Sequence, residues 1–205
     1  MTLRRGELRA SDLISAVLNP SALTGVFFCL LAARYEPPGT RRIIHDVIGV
    51  AFAAVIPVGM LFLLKARGRL SDLEMRIRSE RSSVYRIGVA GYALGAALLG
   101  ITDAPWPLWG LLALHVPNTL VLILANRGLK VSIHTMVLTG LSVAAVMFLG
   151  RAWLPAVLLV PAAAWARWDA GNHTVKELVW GILIGGPMTL VEILLLRSAF
   201  GGPVC

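Results

Sequence analysis

Apolar stretches of roughly 17 to 23 residues follow one another along nearly the whole chain. They lie near 13 to 33, 44 to 64, 85 to 101, 107 to 126, 134 to 150, 153 to 166 and 174 to 197. The sixth is short and is expected to be tilted, kinked or partly buried. A backbone amide in hydrocarbon has no water to bond, so runs of this length without strict alternation are satisfied as helices and not as an open sheet or a barrel. Hydrophobic residues make up 57% of the 205 and the mean hydropathy is +0.77, more apolar surface than a soluble core of this size needs. The reading is therefore all-α: a polytopic transmembrane bundle of six or seven helices. It assigns a polar N-terminal segment to 1–12, one membrane-embedded domain to 13–198 and a short tail to 199–205. The expected location is the cell membrane, with multiple passes.

Met1 to Asp12 is basic and polar and the first apolar run exceeds a signal core, so that run is expected to stay as a membrane helix. Cys29 lies within it and Cys205 is the last residue, a spacing that suggests neither a structural disulfide nor a metal motif. The formal net charge of +8 falls at helix ends and not along an aromatic-rich soluble surface. That distribution argues against nucleic acid and for anionic headgroups or a phosphorylated lipid.

In so apolar a chain, the remaining charge either lies in water or serves a function. It gathers in three clusters: Lys65 to Arg81, Ser132 with His134, and Arg167, His173 and Glu177. Counting crossings from the N-terminus, the chain returns to its starting side at Lys65, at Arg127 and near Arg167, so all three clusters are expected on one face. The remaining positive residues divide evenly between the faces: Arg4, Arg5, Arg9, Arg127 and Lys130 against Arg34, Arg41, Arg42, Arg151 and Arg197. This count assigns no orientation.

Around the third cluster, Asp169 to Asn172 is turn chemistry between two apolar runs. With Asn172 as the expected cap of the next helix, His173 enters its first turn, where free amides and the helix dipole favour an anion. Glu177, four residues on, shares the face of His173 and can fix one ring nitrogen as a donor. The other nitrogen is then unprotonated, as a nucleophilic histidine requires. Arg167 offers a bidentate fork to phosphate oxygens. Interfacial anchoring with an ordinary helix pair accounts for the same residues equally well. In the second cluster Ser132 is the expected cap of the fifth run and His134 enters its first turn, from which it can protonate a leaving alkoxide. Capping and interface anchoring are the plainer account of Ser132 and His134 taken alone. In the first cluster, Arg78 with Arg76 or Arg81 could enclose a dianion, and a positive loop on anionic lipid is the simpler account.

The order of basic segment, Ser-x-His, then Arg, His and an acid resembles the type 2 phosphatidic acid phosphatase superfamily of membrane phosphatases. That family's third motif is Ser-Arg, five residues, His, three residues, Asp; here Ala166, Arg167, His173 and Glu177 occupy those places. Its second motif is Pro-Ser-Gly-His; here Val131, Ser132, Ile133 and His134 stand in those places, keeping the Ser and His but not the Pro and Gly. Its first motif, a lysine followed at fixed distance by Arg-Pro, has no counterpart between Lys65 and Arg86. The resemblance covers roughly residues 60 to 190 and implies a bundle of six helices and metal-free, cofactor-free catalysis. It implies that His173 attacks phosphorus to give a phosphohistidine, that Glu177 orients it and that His134 protonates the leaving oxygen. Arg167, Ser132 and the bases Lys65, Arg69, Arg78 and Arg81 would neutralise the phosphate. The implied substrate is a lipid-linked phosphate, either a phospholipid monoester or an isoprenyl phosphate or diphosphate. Glu177 in place of the aspartate lengthens the orienting side chain by one methylene.

Two other classes fit parts of the pattern. A lipid-phosphate-binding membrane protein without turnover would also keep the anion pocket. A metal-dependent lipid phosphotransferase would use His134, His173 and Glu177 as ligands, yet the chain lacks an aspartate-rich diphosphate motif. His115, Pro117 and Asn118, inside the fourth run, read as a kink with satisfied hydrogen bonds. Trp106, Trp109, Trp153, Trp165 and Trp168 read as an interface belt, and Glu192 as interfacial or interhelical.

Overall fold

The computed structural model describes residues 9–75 and 77–201; expectations resting on Arg4, Arg5, Arg76 and Cys205 lie outside them. Among the described residues the fold is helical, with no strand. The order is α1 (Ala10–Val17), α2 (Pro20–Tyr35), α3 (Thr40–Val50), a π-helical segment (Ala51–Val55), α4 (Ile56–Ala66), α5 (Arg78–Ile101) and α6 (Trp106–Ala125). Then come α7 (Ile133–Leu149), a 3-10 segment (Arg151–Leu158), α8 (Leu159–Asp169) and α9 (Val175–Phe200). Five helices are long and apolar enough to cross a membrane: Ala10–Tyr35, Thr40–Ala66, Arg78–Ile101, Trp106–Ala125 and Val175–Phe200. Ile133–Leu149 is a shorter apolar helix.

Differences from the sequence reading have local causes. The first run is jointed: Asn19 accepts a hydrogen bond from the Ala22 amide at 3.1 Å and Pro20 opens α2, so a cap and an N-terminal proline restart the helix. The second run carries the π segment just ahead of Pro57, whose missing N–H disturbs the regular ladder. The third helix begins at Arg78, earlier than its apolar run, so Arg78 and Arg81 stand on a helix and not in the preceding loop. The sixth run is a 3-10 segment containing Pro155 that passes into α8, which ends beyond Arg167.

One core cluster, with Phe28, Leu31, Leu99, Leu108, Leu112, Phe148 and Ile193, fills the half of the bundle away from the charged clusters. Smaller clusters around Tyr85, Val131 and Met136, and around Leu64, Leu70 and Met75, lie under the charged end. Large apolar side chains are exposed along the long helices, among them Val26, Val47, Leu94, Leu120 and Leu195, as a surface solvated by hydrocarbon allows.

The closest helix contact positions the charged end. A Cβ on Gly181 of α9 would lie 2.1 Å from Thr135 Oγ1 and 2.7 Å from the Ser132 carbonyl oxygen, and one on Gly185 would lie 2.1 Å from the Met136 carbonyl oxygen. Small residues at this four-residue spacing let α9 press its backbone onto the first turn of α7. Thr135 Oγ1 donates to the Leu178 carbonyl at 3.1 Å across this seam.

Candidate active site

Three connections meet at one end of the bundle: 67–75 after α4, 126–132 between α6 and α7, and 170–174 between α8 and α9. Arg81 joins the first two, donating from Nε to the Met75 carbonyl at 2.8 Å and from Nη1 to the Val131 carbonyl at 3.1 Å. Lys130 Nζ donates to the Asn172 carbonyl at 2.9 Å, and the Ser132 amide donates to the Glu177 carbonyl at 3.2 Å. Those two bonds join the second connection to the third.

His173 is fixed by its own loop. The amides of Asn172 and His173 both donate to the Arg167 carbonyl, at 3.1 and 3.2 Å, with Gly171 in the left-handed region at φ +68. A side chain is strained at that φ, so glycine suits the turn. The cap of α9 is Thr174 and not Asn172: Thr174 Oγ1 accepts from the Glu177 amide at 3.4 Å and Glu177 Oε2 accepts from the Thr174 amide at 3.1 Å. The sequence Thr174-Val175-Lys176-Glu177 is a capping box, and it places His173 before the helix instead of in its first turn. The contact with Glu177 nevertheless forms, at 3.0 Å from His173 Nδ1 to Glu177 Oε2. It arises because the carboxylate turns back toward the cap, not because the two residues share a helix face. A carboxylate accepts, so Nδ1 is the donor and Nε2 carries the lone pair, and the Lys130 carbonyl also lies against the ring.

His173 is 7% exposed. Burial, reinforced by the positive charges of Arg81, Arg167 and Lys130, pushes its pKa down from 6.5 to about 3. The ring is therefore neutral at ordinary pH, with three cations within electrostatic reach. His134, in the first turn of α7, lies against the Ser15 carbonyl and within electrostatic reach of Arg167, His173 and Arg81.

Arg167, in the last turn of α8, is 2% exposed. Its Nη1 donates to Ser15 Oγ at 3.0 Å and pairs with the Glu74 carboxylate. Its Nε has no hydrogen-bond partner among the described residues, and neither has Ser132 Oγ, although Ser132 is fully buried. Ser132 takes the cap position of α7 by backbone conformation, yet its hydroxyl makes no capping bond. Two buried polar groups beside His134 and His173 are thus left for another partner.

The first cluster divides. Arg81 is buried in the site, whereas Arg78 is exposed and donates to the Arg127 carbonyl at 2.7 Å, a tie between α5 and the end of α6. Lys65 and Arg69 are exposed, and among the described residues neither makes a hydrogen bond or ion pair with the His173 group. Of Lys65, Arg69, Arg78 and Arg81, the structure brings Arg81 within electrostatic reach of His173, together with Lys130 of the second connection. Among the described residues no three His, Cys, Asp or Glu side chains gather as a candidate metal-ligand group.

Beneath Arg81 an elongated apolar cavity runs into the bundle, walled by Pro57 and Met60 of α4, Gly88 and Gly91 of α5, and Leu114 and Met136 of α6 and α7. Met75 and Tyr85, both in contact with Arg81, line its upper part. Its lining also includes Asn118, which donates to the Leu114 carbonyl at 2.7 Å and to Glu192 Oε2 at 2.8 Å. Glu192 is thus interhelical; His115 Nδ1 and Asn118 Nδ2 bond carbonyls one turn back, but Asn118 Oδ1 is buried with no partner among the described residues, so the expected hydrogen bonds beside Pro117 are satisfied only in part. Comparison with family models, with curated proteins and with solved structures gives no match.

Proposed function

We propose that this chain is an integral membrane phosphatase that removes phosphate from a lipid-linked phosphomonoester or diphosphate through a phosphohistidine on His173. The observation that carries the reading is the neutral His173 ring, held at Nδ1 by Glu177 among Arg81, Arg167 and Lys130. In this mechanism Nε2 attacks phosphorus while His134 gives a proton to the departing lipid oxygen. The three cations and the Ser132 hydroxyl take up the charge that develops on the phosphoryl oxygens. Water then attacks the phosphohistidine with His134 acting as base, releasing inorganic phosphate and restoring the ring.

The apolar cavity under Arg81 supports a lipid substrate, since a tail can lie in it while the headgroup stays at the charged end. The reading counts the five long helices, Ile133–Leu149 and the 3-10 segment with α8 as seven crossings. Two crossings between successive charged connections bring all three to one face. A lipid-phosphate binder without turnover is the second reading, favoured by the engagement of Arg167 with Glu74.

The deciding experiment measures phosphate release by detergent-purified protein from phosphatidate, phosphatidylglycerophosphate and isoprenyl diphosphate, with EDTA present. Wild type should be active and His173→Ala should lose at least about a hundredfold. Activity unchanged by the substitution would sink the mechanism; lipid binding without release would establish the second reading.

A further inference from the structure

Arg167 and Glu74 are unequal partners. The arginine side chain is 3% exposed and fixed in the last turn of a helix, and the glutamate is 43% exposed on the connection between α4 and α5. That connection folds over the site. Ser71 binds the Glu80 carboxylate through its amide and hydroxyl, Met75 takes a positive φ of 50, and the Met75 carbonyl accepts from Arg81. The strap therefore lays its carboxylate on the buried guanidinium of Arg167. No helix register or core packing requires it there: Glu74 belongs to no helix and is not buried.

We propose that Glu74 is an intramolecular occupant of the phosphate position, a carboxylate held on Arg167 until a phosphate displaces it. This inference rests on the phosphate reading of the site. The chemistry of the two ligands is alike, since carboxylate and phosphate both take a guanidinium N–H through anionic oxygen. The phosphate is the stronger competitor because it carries up to two charges and has oxygens to spare for Arg167 Nε and Ser132 Oγ. While Glu74 holds Arg167, the apparent affinity for any anion at this position falls by the fraction of molecules in the open form. The strap thus acts as a built-in competitive inhibitor: it raises KM and leaves the chemical step untouched.

The test is binding of inorganic phosphate to the full chain in detergent, by calorimetry, for wild type, Glu74→Gln and Arg167→Ala. Glu74→Gln should bind about five- to tenfold more tightly than wild type, and its KM for lipid substrate should fall by the same factor at constant kcat. Arg167→Ala should bind markedly more weakly than either. Equal affinity of wild type and Glu74→Gln, with binding lost in Arg167→Ala, overturns the strap and leaves the phosphate site standing. Arg167→Ala binding as well as wild type, or no binding by any of the three, overturns both. Glu74→Gln is on the surface and keeps the size of the side chain, so a folding defect does not confound the comparison.

Discussion

The cost of holding His173 neutral belongs to the residue scale. Its imidazole is pushed from 6.5 to about 3 in the folded chain, so between those values the unfolded chain binds a proton that the folded chain does not. Stability therefore rises with pH across this window: the contribution is fully present above 6.5 and is lost as pH falls toward 3. His173→Asn removes the titrating group. The expected outcome is that the fall in Tm between pH 7 and pH 4, followed in detergent, is shallower in this variant than in wild type; equal slopes would contradict a neutral buried ring. His173, Glu177, Arg167, His134 and Ser132 were legible as a group in the sequence because each is a polar exception beside an apolar run. Glu74 and Ser15 were not, since nothing local distinguishes a glutamate in a charged loop or a serine in a first turn from a solvated one. The cap at Thr174 was readable from its spacing to Glu177, and choosing Asn172 instead put His173 on the wrong side of the helix boundary.

At the scale of elements, the site depends on how closely α9 approaches α7. The Ser132 amide bonds the Glu177 carbonyl only because Gly181 and Gly185 let the two backbones touch. Gly181→Ala places a methyl 2.1 Å from Thr135 Oγ1 and 2.7 Å from a carbonyl oxygen, neither of which can move without shifting the start of α7. We expect a loss of about 1–3 kcal/mol or more, read as a lowered Tm in detergent, together with lost activity even where the protein still folds. Helix existence was plain from the length of the apolar runs, because lipid leaves the backbone no alternative. The internal joints were not. The restart at Asn19 and Pro20 hides inside an unbroken run of apolar character, and the π segment before Pro57 depends on how neighbouring helices pack. The early start of α5 was hidden for the opposite reason: its first two turns are polar, and only the ties of Arg78 and Arg81 to the neighbouring connections hold them.

For the whole molecule, the proposed function makes the cavity and the charged end one recognition unit. Gly91 lines the cavity, and a Cβ there would meet nothing within 4 Å, so Gly91→Leu fills space without a clash and improves helix propensity by about 0.5–1 kcal/mol. We expect its Tm to hold or rise while its KM for long-tailed lipid phosphates increases, with hydrolysis of a small water-soluble phosphate ester unchanged. Equal effects on both substrates would show that the tail lies elsewhere. The ends of the apolar runs suggest which connections gather, whereas the cavity depends on side-chain packing between several helices and leaves no mark in a linear pattern.

The meeting of 67–75, 126–132 and 170–174 at a single end has a further effect on the proposed reading. A site of this kind consumes substrate from one leaflet only. A lipid phosphate formed in the opposite leaflet stays out of reach until something carries it across, and once across it is removed. The protein then behaves as a one-sided sink, giving the traffic of that lipid a net direction across the bilayer although it transports nothing itself.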